Sequence, residues 1–131
     1  MTEIGMKREV RGTFDEVLAR VPEALKAEGF GVLTRIDVQA TLKEKLGVDF
    51  RRYQILGACN PRFAHTALSA IEAVGVLLPC NVVVYERDDG RVVVVAVDPM
   101  QTLAHTEPAL AGVAALVREK LARALDAVAA G

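Results

Sequence analysis

The stretch NVVVYERDDGRVVVVAV, Asn81 to Val97, sets the architecture. Two β-branched runs, Asn81 to Arg87 and Arg91 to Val97, flank Asp88, Asp89 and Gly90, a connection with glycine where a hairpin turn needs positive φ. The composition of the runs adds a second message. Val82, Val83, Val84 and Tyr85, and Val92 through Val97, are apolar at successive positions, and successive side chains of a strand point to opposite faces. An antiparallel sheet in a small two-layer domain leaves one face wet and alternates. The hairpin therefore predicts a sheet covered on both faces, with a symmetric second copy as the simplest cover.

Working outward, Met6 to Arg11 has the polar alternation of an edge strand. Thr13 and Glu16 have the capping-box spacing that opens a helix, with Phe14, Val17, Leu18, Val21 and Leu25 as its apolar face. Pro22 deletes one of its hydrogen bonds, and Gly29 ends it. Phe30 to Val38 alternates as a half-buried strand. Asp37 caps a helix with Val38, Leu42 and Leu46 on its apolar side, closed by Gly47. Arg51 to Cys59 reads as a strand, and Asn60 followed by Pro61 as a helix start, with Phe63, Ala67, Leu68 and Ile71 beyond. After the hairpin, Thr106 is expected to cap a last amphipathic helix over about 107–129, whose stripe is Leu110, Val113, Val117, Leu121, Leu125 and Val128, with Arg118, Glu119, Arg123 and Asp126 facing water.

The chain has 131 residues, 52% of them hydrophobic and 25% charged, enough for one self-sufficient core over 1–131. Sixteen Lys and Arg against 17 Asp and Glu leave a net charge of −1, with no electrostatic footprint for duplex nucleic acid or acidic membranes. Lys7, Arg8, Glu9, Arg11, Asp15 and Glu16 interrupt any apolar leader, and the longest apolar runs fall far short of the ~20 residues of a membrane span. The expectation is a cytoplasmic protein whose two cysteines are thiols or ligands rather than a disulfide.

Two clusters are candidate sites. Cys59 ends a strand just before a helix start, where amides and the helix dipole lower a thiol pKa, so it is a candidate nucleophile. Cys80 opens the next strand and His65 lies in the helix between, so Cys59, His65 and Cys80 are candidate ligands for zinc or copper, with His105 or Asp98 as a fourth. Asn60 and Asn81 adjoin the thiols as candidate ligand-binding amides. The competing reading is that the thiols only pack, beside Gly57 and Ala58. Lys43, Lys45, Arg51 and Arg52 form a basic segment able to hold a phosphate or carboxylate, against the plainer reading of a solvated face balanced by Glu44 and Asp49. Walker, dinucleotide, GxSxG and HExxH motifs are absent.

GFGVLTRIDVQATLKEKLGVDFRRYQILGACNPRFAHTAL (29–68) and VGVLLPCNVVVYERDDGRVVVVAVDPM (74–100) together resemble the bacterial and archaeal domain-of-unknown-function family 302, over about Val10 to Met100. The marks are CNP at Cys59, Asn60 and Pro61, and LPCNV around Pro79, Cys80 and Asn81. The resemblance implies a small α+β domain of the TATA-binding-protein-like type, a curved antiparallel sheet of about five strands packed against helices, and a homodimer. It brings no established reaction. The TATA-binding likeness carries architecture only, since DNA binding by that fold uses a basic concave sheet and intercalating aromatics, and aromatic residues are 5% here. Taken together, the sequence points to a cytoplasmic homodimeric domain that binds a small ligand or soft metal near Cys59, Asn60, His65 and Cys80. The alternatives are a thiol-dependent enzyme or redox sensor using Cys59 and Cys80, and a structural interaction domain.

Overall fold

A computed structural model describes residues 3–131. The order is β1 (Met6–Val10), α1 (Phe14–Ala27), β2 (Gly31–Asp37), α2 (Val38–Leu46), β3 (Tyr53–Cys59), α3 (Pro61–Ala70), a 3-10 segment (Glu72–Leu77), β4 (Cys80–Glu86), β5 (Val92–Ala96), a one-turn α4 (Leu103–Thr106), a second 3-10 segment (Pro108–Leu110) and α5 (Ala111–Ala130). The fold is α+β. Its five strands form one antiparallel sheet in the order β1-β5-β4-β3-β2, with the β4–β5 hairpin placing Val84 opposite Val94.

Helices α1 and α5 cover one face of this sheet. Their Phe14, Val17, Val21, Leu25, Val117, Leu121, Leu125 and Val128 meet Leu56 and Ala58 of β3, Val82 and Val84 of β4, and Val92, Val94 and Ala96 of β5. The local chemistry of α1 explains its ends. Thr13 Oγ1 accepts from the Glu16 N–H at 3.2 Å, and at the other end the Gly29 N–H reaches Lys26 O and the Phe30 N–H reaches Leu25 O. That paired closure requires Gly29 in the left-handed region, and its φ is 87°. Gly29→Ala is expected to lower the unfolding free energy by about 1 kcal/mol, read as a lower urea midpoint with an unchanged slope.

Several segments depart from the pattern read in the sequence. Strand β2 is not half-buried: six of its seven residues are exposed, and Leu33 is 68% exposed, because no helix lies over this edge of the sheet. Helix α2 buries none of Val38, Leu42 or Leu46 for the same reason. Thr106 does not cap the last helix. It closes α4 instead, because Pro108 holds Glu107 extended (φ −137°, ψ 96°), and the Glu107 carboxylate accepts from the Ala109 N–H. The segment between β5 and α5 thereby contains two short helical turns. They bury Leu103 and Leu110 with Ala67, Val74 and Ala114 in a second, smaller core at the end of the sheet.

The charged residues read as facing water on α5 are exposed as expected, and three of them also tie the helix to the rest of the molecule. Arg118 Nε donates to Asp98 Oδ2 at 3.0 Å, Arg123 Nε to Glu28 Oε1 at 3.0 Å, and Asp126 Oδ1 accepts from Arg8 Nε at 2.9 Å.

The second face of the sheet carries no helix. In register across it run Ile36, Ile55, Val83 and Val95, and beside them Tyr53, Tyr85 and Val93. None of these belongs to either apolar cluster. Tyr53 and Tyr85 stack at 5.3 Å between ring centroids, and Phe50 continues the apolar surface 6.4 Å from Tyr53.

Candidate functional site

The chain crosses from β3 into α3 at Cys59, Asn60 and Pro61, and returns into β4 through Pro79 and Cys80. Because β3 and β4 are neighbours, with Ala58 opposite Cys80, both crossings lie at one end of the sheet. There the main core meets the smaller one. Between them is a cavity of about 40 Å³ lined by Phe30, Ala58, Cys59, Asn60, Phe63 and Ala64, with Leu78, Pro79, Cys80 and the α5 side chains Val113 and Val117 closing it. About 10–15 Å³ in this measure holds one water, so the space admits a body of a few heavy atoms.

The lining is almost wholly apolar, and its polar side chains are the Asn60 amide and the two thiols. The Asn60 side chain makes no cap on α3, contrary to the reading of Asn-Pro as a capped start. It turns instead to the end of α1, where Nδ2 makes a long contact of 3.5 Å to Glu28 O, a carbonyl left over by the helix terminus. Gly57 shapes the neighbouring backbone: a Cβ there would fall on the Thr34 hydroxyl and within 2.7 Å of the Pro79 ring. That is a close-approach reason for glycine next to the site.

Both cysteines are free thiols. Burial, and next the neighbouring Cys59, push the Cys80 thiol up to about 11, so it stays protonated at neutral pH. A nucleophile or thiolate ligand needs the opposite shift. His65, on the exposed side of α3, is not in the lining, and His105 is exposed on α4. Among the described residues no group of three His, Cys, Asp or Glu side chains stands where it could hold a metal. The geometry thus brings Cys59, Asn60 and Cys80 together and leaves His65 out, because His65 shares the exposed face of α3 with Pro61, opposite the face of Phe63 and Ala67 that lines the cavity. Asp98 is occupied elsewhere, accepting from the Met100 N–H at 2.9 Å as well as from Arg118.

Asn81 is exposed on the open side of β4, away from the cavity. The basic segment does not converge either. Lys43 pairs with Asp49 at 2.9 Å, Arg51 with Asp88 at 3.1 Å, and Arg52 with Asp15 at 2.6 Å while its guanidinium lies 4.4 Å over the Phe14 ring. Lys45 is exposed and has no ion pair among the described residues. Arg52 thus ties the segment before β3 to α1, and Arg51 ties it to the hairpin turn, while Lys43 is held by Asp49. Phe63, Val113 and Val117 are the site residues that sequence reading missed as such. Their helical spacing marked them as packing, and a cavity wall carries the same signature.

The family profile described as "Domain of unknown function DUF302" matches residues 6–128. The chain belongs to this family. The match runs past Met100 and takes in α5, so in DUF302 the helix that walls the cavity is part of the domain rather than an appended tail. The DUF302 fold is also met in the crystal structure of an uncharacterized conserved protein DUF302 from Bacillus stearothermophilus, 36% identical, superposing with a TM-score of 0.88 over 97% of this chain and 99% of that one. No curated protein matches the chain. No helix of the described residues is long and apolar enough to cross a membrane.

Proposed function

We propose that this DUF302 chain is a cytoplasmic homodimeric binding domain whose site is the cavity at the end of β3 and β4, taking a small apolar ligand or the tip of a longer aliphatic chain. The observation that supports it is the lining itself. An apolar wall built from α3, α5 and both strand ends, with Asn60 as the orienting amide, is the usual make-up of a small-molecule pocket. The lining offers no charged side chain to balance an anion or cation, which selects for neutral, apolar matter. Burial keeps the Cys80 thiol protonated at neutral pH, which suits a wall of the cavity better than a resolving thiolate.

The test is NMR titration of the protein with straight-chain alcohols from ethanol to hexanol. Saturable methyl shifts at Ala64, Val113 and Val117 are expected, with affinity rising and then falling as chain length exceeds the cavity. Ala64→Leu fills the wall from a half-buried helical position and is expected to abolish those shifts while the protein stays folded. No saturable shift with any alcohol, or shifts that persist in Ala64→Leu, would remove the reading.

A further inference from the structure

We propose that the second copy of the chain packs face to face on the open side of the sheet, over Ile36, Ile55, Val83, Val95, Tyr53 and Tyr85. This rests on the reading of the domain as a pair and says where the pair meets.

The size of the face fits a reversible pair. Five strands about 4.8 Å apart, each some 5–7 residues long at about 3.4 Å per residue, span roughly 24 by 20 Å. That footprint is roughly 480 Å² per copy, smaller than the ~800 Å² each partner buries in a standard interface and of the size of a modest, reversible pairing. The composition fits too. The centre is aliphatic and aromatic without a charge, while the charged groups sit at the β1 rim and are already neutralised within one copy, Lys7 by Glu3 at 3.9 Å and Glu9 by Arg87 at 3.3 Å.

The face also matches itself. Its aliphatic row, Ile36, Ile55, Val83 and Val95, runs parallel to the stacked pair Tyr53 and Tyr85, two residues along β3 and β4, while Val93 beside them is already fully buried. A two-fold axis lying in the face between the row and the pair sets each aliphatic row over the other copy's tyrosines, as an isologous contact requires. Large side chains then meet small ones, which lets the two sheets interlock at about 10 Å. Pairing through the β2 edge is less favourable, because a bulge between Val32 and Thr34 interrupts its register.

Light scattering after size exclusion, at micromolar concentration, decides the matter with three variants. Val83→Glu puts a charge at the centre of the face, and Ile36→Glu does so at a position already 48% exposed, where the fold of one copy does not depend on it. Leu46→Glu is the control on α2, off the face and 69% exposed. The expected result is a dimer for the native chain and for Leu46→Glu, and at least a 100-fold weaker dimer for Val83→Glu and Ile36→Glu. A native dimer that survives Ile36→Glu with unchanged mass overturns the assigned face but leaves the pair standing. A native monomer overturns the pair itself.

Discussion

Replacing Leu121 with Ala is expected to lower the unfolding free energy by about 2–5 kcal/mol. Leu121 is 0% exposed and stands where α5 meets α1 and the sheet, among Val21, Leu25, Val82 and Ala96. Truncation removes its transfer free energy, and the rigid strands beneath cannot collapse to fill the void. In urea, the midpoint falls and the slope is kept, since the same surface is exposed on unfolding. The matched variant Leu116→Ala, on the same helix but 51% exposed, is expected to change stability by no more than about 0.5 kcal/mol. Equal losses in the two would mean that α5 does not dock by the face described.

The second large effect is alkaline. The Cys80 thiol is pushed up from 9.0 to about 11 in the folded chain. A folded pKa above the unfolded one means that the folded state holds the proton more tightly. The associated stability is present in full below pH 9 and is lost as the pH rises through 11. Two pKa units correspond to a loss on the order of 2–3 kcal/mol. Tyr53 moves in the same direction through burial, so the comparison is with Cys80→Ala, which keeps every other titrating group. Urea midpoints of the two proteins measured from pH 8 to 11.5 are expected to converge above pH 9. Curves that stay parallel would show that Cys80 titrates in the folded chain as it does unfolded.

Most of the strands and helices were legible because each is announced locally. Thr13 and Gly29 mark the ends of α1 by hydrogen-bonding chemistry that needs only neighbours in sequence, and the two valine runs around Asp88, Asp89 and Gly90 can do little except pair. The readings that failed share a cause. Val38, Leu42 and Leu46 have helical spacing, but burial of that face needs an element to lie on it, and none does. Arg118, Arg123 and Asp126 do face water as their helical projection says, but no projection shows their ion pairs. Their partners Asp98, Glu28 and Arg8 are between 20 and 118 residues away, a distance that only chain closure removes.

The candidate site meets the same limit. That Cys59, Asn60 and Cys80 come together follows from β3 pairing with β4, an adjacency that the hairpin between β4 and β5 does not fix. That His65 stands apart was set by rotation about a helix axis packed through Ala67, a matter of fractions of a turn that spacing alone does not fix. Residue pattern by itself determined an α+β chain with a hairpin apolar on both sides, because periodicity and turn chemistry act over a few residues. Only the tertiary structure decided which side α1 and α5 took, and so which side was left bare. Covering one face uses up the two long helices, and among the described residues no other helix packs on the opposite face.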